Sequence, residues 1–147
     1  MILKNNQIQI QFQITGYQYE KAEDFYDDWL MVSLHIQTDN GTVWSQEAPY
    51  LMTTELQTMR RWFASLLIEG SLYTTLYFIE PEMEWNYTEQ QILELTLSHA
   101  AYPVSIMNNS EAYGEATFTF KLTYADLHSI VSSLDYMLQQ FPQRVAR

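Results

Sequence analysis

The sequence predicts an α+β fold: a mostly antiparallel, curled or sandwich-like sheet of about seven strands with two α-helices packed on it. Three observations predict it. Apolar and polar residues alternate with period two in several separate segments, and two other segments carry an apolar stripe at helical spacing. The strands also follow one another as hairpin neighbours, without the β-α-β-α rhythm of a parallel doubly wound sheet. A length of 147 residues fits one domain over 1–147, and 47% hydrophobic against 17% charged residues supplies a core.

The first strand is expected over 7–15, where Ile8, Ile10, Phe12 and Ile14 alternate with Gln7, Gln9, Gln11 and Gln13 until Gly16. Residues 19–28 form an acidic connection with Glu20, Glu23, Asp24, Asp27 and Asp28 against one Lys21. A second strand follows at 29–38, with Leu30, Val32, Leu34 and Ile36 on one face. Asp39-Asn40-Gly41 supplies hairpin turn chemistry, because Asn and Gly tolerate positive φ. A third strand should run from Thr42 to Ala48, with Pro49 ending it.

The first helix is expected from Thr53 or Thr54, with Thr54 and Gln57 as a capping box. Leu56, Met59, Phe63, Leu66 and Leu67 make its apolar face, and Gly70 is its stop. Ser71–Ile79 reads as a strand, and Met83, Trp85 and Tyr87 then alternate with Glu82, Glu84 and Asn86. Leu93, Leu95, Leu97 and His99 mark another strand, residues 101–114 a long loop, and 115–123 the last strand. The second helix spans 124–141, with a start signal in Thr123 and Asp126 and a stop at Pro142. Its stripe is Leu127, Ile130, Val131, Leu134, Leu138 and Phe141.

Acidic residues outnumber basic ones 18 to 7, a net charge of −11 with a pI near 4.4. That excess argues against nucleic acid and against an anionic membrane surface as partners, since both attract basic proteins. Cysteine is absent, so disulfides and thiolate chemistry are excluded, and the cytoplasm is the expected compartment. The N-terminal stretch from Met1 to Asn6 lacks the apolar core of a signal peptide, and no apolar run approaches the ~20 residues of a membrane span.

The sequence offers no catalytic residue, no metal set and no cofactor motif. His35, His99 and His128 fall in separate elements, none with a second ligand at a metal-binding spacing, so ordinary structural roles are expected for all three. Nucleophile elbows, phosphate loops and dinucleotide fingerprints are missing. Glu80, Glu82 and Glu84 recur at period two and would share a strand face. Paired carboxylates can hydrolyse glycosides, but only in a cleft that splits their pKa values. A row of same-face carboxylates is more simply a solvated edge. The acidic connection has a sharper reading as a docking surface, because like charges focus a potential that speeds encounter with a basic partner. Phe25, Tyr26 and Trp29, with Tyr17 and Tyr19, interleave with it, and aromatic anchors beside charges resemble interface hot spots.

Several short motifs then occur in order. Gly16-Tyr17-Gln18-Tyr19 follows the first strand, Asp28-Trp29-Leu30 opens the second, and Trp44 follows the Asn40-Gly41 turn. Pro49-Tyr50-Leu51-Met52-Thr53-Thr54-Glu55-Leu56 leads into the helix that carries Trp62. Phe78-Ile79-Glu80-Pro81 and Phe141-Pro142-Gln143-Arg144 complete the series. Their order and spacing resemble the WapI family of bacterial immunity proteins over nearly the whole chain. The resemblance implies a single immunity-protein-like domain acting as a non-enzymatic, cytoplasmic antidote. Such proteins are similar in role to the protectors against WapA-type and contact-dependent inhibition toxins, whose variable C-terminal domains are often tRNA-directed nucleases. The implied partner is a cognate toxin C-terminal domain. The resemblance carries over no set of binding residues.

Charge supports that reading independently, since a nuclease presents a basic substrate cleft to which an acidic protein is complementary. The candidate contact residues are Glu23, Asp24, Tyr26, Asp27 and Asp28 in the acidic connection, with Glu82, Glu84 and Asn86 as a second patch. Trp29, Trp44 and Trp62 are expected in the core. Monomer and homodimer both fit the sequence. A small-molecule or carbohydrate-binding module using an aromatic sheet face is the alternative, and a hydrolase built on Glu80–Glu84 is a third reading.

Overall fold

In the computed structural model, residues 1–68, 75–107 and 114–146 are described. Strands β1 (Ile2–Lys4), β2 (Ile8–Tyr17), β3 (Trp29–Thr38) and β4 (Val43–Met52) make one four-stranded antiparallel sheet in chain order. A second such sheet holds β5 (Thr75–Leu76), β6 (Met83–Tyr87), β7 (Ile92–Ser98) and β8 (Glu115–Lys121). Helix α1 (Thr53–Ser65) lies between the sheets in sequence, α2 (Val104–Met107) is one turn, and α3 (Tyr124–Gln140) follows β8. The chain is therefore α+β with hairpin-connected strands, as expected. Its described strands fall into two sheets that share one hydrophobic core with α1 and α3.

Alternation decides which faces are buried. Ile10, Phe12, Val32, Leu34 and Ile36 are fully or almost fully buried, and the glutamines of β2 alternate with the buried positions. Each large aliphatic or aromatic side chain so buried stabilises the fold by about 1.5–3 kcal/mol before entropy is counted. In the second sheet Met83, Trp85, Leu93, Leu95, Leu97 and Phe120 face inward. Phe63 of α1 joins the layers, meeting Trp62 and Trp85 edge-on with ring centroids 4.9 and 5.4 Å apart. Helices α1 and α3 pack on each other, with Arg60 Nε 2.8 Å from Asp135 Oδ1 on their outer side.

Several sequence expectations change. Strand β1 is too short for a periodic signal, yet Leu3 is 2% exposed and pairs with Ile10. Strand β4 does not end at Pro49 but continues to Met52. It is a sheet edge, and the register shifts between Val32↔Ala48 and Leu30↔Leu51, so Pro49 and Tyr50 face Met31 alone. An edge strand with a bulge accommodates a residue that cannot donate to the ladder. Helix α1 is not capped by Thr54 and Gln57. Met52 is the cap residue, and its N–H donates to Glu55 Oε2 at 3.0 Å. The expected cap of α3 does form: Thr123 N–H donates to Asp126 Oδ2 at 2.8 Å, and Asp126 N–H to Thr123 Oγ1 at 3.1 Å.

His99 does not extend the inner face of β7. It is exposed in a 3-10 turn over His99–Ala101 with φ of 53°. Gly41 supplies the positive φ, 89°, at the β3–β4 hairpin. Part of the 101–114 stretch is ordered as α2, and the strand expected over 71–79 is described only at Thr75–Leu76. Gly70 and residues 108–113 lie outside the described residues.

Candidate partner-binding surface

The acidic connection leaves β2 and returns to β3 through a 3-10 turn at Phe25–Asp27. Asp24 accepts from Tyr26 N–H at 3.0 Å, and Asp27 Oδ2 accepts from Asp24 N–H at 3.2 Å, so two carboxylates of the cluster fix the turn that displays them. Trp29 Nε1–H donates to Tyr26 O at 2.8 Å, and Gln18 N–H to Trp29 O at 2.9 Å. Glu20, Glu23 and Asp24 are exposed, Asp27 is half-buried, and Tyr26 is 62% exposed with its ring edge-on to Phe25. Four of the five predicted residues of this loop thus reach the surface around an ordered aromatic ring.

Asp28 parts from them. It is 1% exposed, and its carboxylate is occupied from three sides. Arg144 Nε donates to Oδ1 at 2.7 Å, while Arg144 N–H and Thr53 Oγ1 each donate to Oδ2 at 2.8 Å. Burial alone would push the Asp28 carboxyl up; these hydrogen bonds and the guanidinium charge outweigh it and hold the group below the usual range. Arg144 also donates through Nη1 to Tyr19 O and Glu20 O at 3.0 and 3.1 Å, and its Cζ lies 3.7 Å over the Tyr17 ring centroid. The Tyr17 hydroxyl donates to Pro142 O at 2.8 Å. The segment after α3 therefore clamps the root of the acidic loop, and Asp28 serves as its internal anchor.

The second predicted patch lies along β6. Met83 and Trp85 are buried, and Glu84 and Asn86 are half-buried on the opposite face. The Asn86 amide is already engaged, accepting from Thr75 Oγ1 at 2.9 Å and donating to Glu94 Oε1 at 2.7 Å. Glu80 does not share that strand face, because it lies in a bend before Pro81. Glu55 caps two segments: besides Met52 it accepts from Ile79 N–H at 2.7 Å, which ties the approach to β6 onto α1.

Of the predicted contact residues, only Glu82 lines the recess beside the root of the acidic connection. Tyr19 from the start of the acidic connection, Trp29 from the start of β3, Pro49 and Tyr50 from the β4 bulge, and Glu80 and Glu82 line one recess of about 380 Å³. Glu82 Oε2 is buried there without a hydrogen-bond partner among the described residues. Tyr50 is 3% exposed, and its hydroxyl lies near the Gln46 side chain. Burial, then the nearby Glu82 charge, pushes the Tyr50 phenol up to about 12, against the opposing hydrogen bond with the Gln46 side chain. Neither charge nor periodicity singles out Tyr50 or Arg144. The sequence signal for both is their place within the ordered motifs.

Trp62 and Trp85 are buried, as a core role for tryptophan requires, whereas Trp29 and Trp44 are only half-buried. His35 Nδ1 meets the Ser45 hydroxyl, His99 Nδ1 lies 2.9 Å from Ser98 Oγ, and His128 packs edge-on to Tyr124. Among the described residues, no three His, Cys, Asp or Glu side chains are placed to hold a metal ion. No helix of the described residues is long and apolar enough to cross a membrane.

The fold and this surface define a class of acidic α+β protein that displays carboxylates and aromatic rings on an internally clamped loop. The model of the immunity protein WapI-like family matches residues 1–142, and the chain belongs to that family. Membership assigns a general immunity role and implies a cognate toxin as partner. No curated protein and no solved structure gives a significant match to the chain.

Proposed function

We propose that this immunity protein neutralises the C-terminal domain of a cognate polymorphic toxin by direct binding, with no turnover chemistry of its own, in the cytoplasm. The toxin domain is basic where it is met, as a nuclease is around its substrate track. The observation that carries this reading is the ordered acidic turn. Glu20, Glu23 and Asp24 are exposed around Tyr26, held by hydrogen bonds within the loop and by Arg144 beneath it. Carboxylates there steer encounter, and an ordered ring provides a low-entropy anchor that slows dissociation. Glu23, Asp24, Tyr26 and Asp27 form the first contact group, and Glu82, Glu84 and Asn86 the second. Asp28 contributes by holding the loop in place.

The test mixes the purified protein with the toxin domain encoded at the same locus. The expected result is a stable complex on gel filtration and loss of toxicity in cells that express both. A toxin domain that elutes alone and kills despite the protein would overturn the proposal.

A further inference from the structure

We infer that the recess formed by Tyr19, Trp29, Pro49, Tyr50, Glu80 and Glu82 receives one arginine side chain projected by the toxin domain, an inference that rests on the neutralisation reading above. Among the described residues, its lining contains two carboxylates and no Lys, Arg or His. Three of its residues are aromatic, and aromatic faces attract cations, guanidinium most often. Acidity alone would not distinguish it from the rest of a chain with net charge −11. What distinguishes it is a buried Glu82 oxygen with no hydrogen-bond partner among the described residues, beside the buried Tyr50 ring at the same recess. A buried carboxylate oxygen is costly unless a donor reaches it, and a guanidinium brings five donors on one plane. A volume of about 380 Å³ is ample for the end of an arginine side chain.

The chain contains a filled version of the same chemistry. Arg144 lies 3.7 Å over the Tyr17 ring and donates to a buried carboxylate at 2.7 Å. The recess offers rings and carboxylates without the guanidinium. Arginine suits it better than lysine, because a planar group can stack on a ring while it donates along its edge.

N-acetyl-arginine amide and its neutral isostere N-acetyl-citrulline amide are titrated into the intact protein, with the Trp29 indole N–H followed by NMR and assigned with Trp29→Phe. Arginine amide should shift that resonance with saturation in the millimolar range, and citrulline amide should not. Glu82→Gln should weaken the response at least about tenfold while keeping the wild-type melting temperature, as loss of a charge-assisted hydrogen bond predicts. Glu80→Gln and Tyr50→Phe serve as further variants should Glu82→Gln prove unstable. Absence of a Trp29 shift, or an equal response to citrulline amide, would overturn the inference. With the toxin domain, Glu82→Gln should speed dissociation. If wild type and Glu82→Gln bind the toxin equally, the recess assignment falls and neutralisation stands. If arginine amide binds but the toxin does not, the neutralisation reading falls, and with it the toxin as the source of the arginine.

Discussion

Replacing Arg144 by alanine removes the side-chain donor to Asp28 Oδ1, two donors to Tyr19 O and Glu20 O, and the cation over Tyr17. Asp28 is 1% exposed, and among the described residues its carboxylate then keeps only Thr53 Oγ1 and the backbone N–H of residue 144 as donors. Stripping one partner from a buried ion pair costs about 3–5 kcal/mol. The Arg144 side chain is 20% exposed, so water can partly replace it, and the low end, about 3 kcal/mol, is expected. Equilibrium urea unfolding measures the loss as a lower midpoint at unchanged slope. Arg144→Lys should recover only part of it, because an ammonium cannot reach the carboxylate and two carbonyls in one plane. Amide exchange should also rise across residues 18–28. Arg144→Ala within about 0.5 kcal/mol of wild type, the range of an ordinary surface substitution, would refute the anchoring role.

The Asp28 carboxyl is held below its usual range when folded, so its contribution is complete above the unfolded value of ~3.9 and is lost as pH falls through the folded value. Acid unfolding should therefore be shallower below pH ~4 in Arg144→Ala than in wild type, and equal slopes would count against the pairing. Tyr50 shifts the opposite way: stability should fall as pH rises from the ordinary tyrosine value of ~10 toward about 12, and Tyr50→Phe should lose that alkaline dependence in thermal melts. Glu55→Ala should cost about 1–2 kcal/mol by chemical denaturation, since it frees the cap of α1 and the Ile79 N–H together.

Much of the architecture is legible in the sequence because it is periodic. Ile8 to Ile14 alternate and are buried in turn, and Leu127, Ile130, Val131 and Leu134 form one helical stripe against the core. Thr123 and Asp126 signal a helix start through local hydrogen bonds alone. Pro49 misleads because its effect depends on whether the strand is an edge, which is a property of the sheet. Asp28 misleads for a similar reason. Within its run it looks like one more surface charge, and its partner Arg144 lies 116 positions away. The recess is less visible still. Glu82, Tyr50 and Trp29 come from three separate segments, and the buried Glu82 oxygen that marks it exists only after folding. Charge excess locates a function class, whereas the residues that carry contact depend on which carboxylates the fold leaves free.

Stopped-flow association with the cognate toxin domain, measured across ionic strength, tests the central claim most directly. Glu20 and Glu23 are the residues to reverse, since both are exposed and neither side chain takes part in the hydrogen bonds that hold the turn. Raising salt from ~0.01 to ~0.15 M shortens electrostatic reach from about 30 to about 8 Å, so the wild-type on-rate should drop steeply. In Glu20→Lys/Glu23→Lys the low-salt rate should be lower and the drop much smaller. Identical rates and an identical salt response in the two proteins would contradict capture of the toxin by this acidic loop.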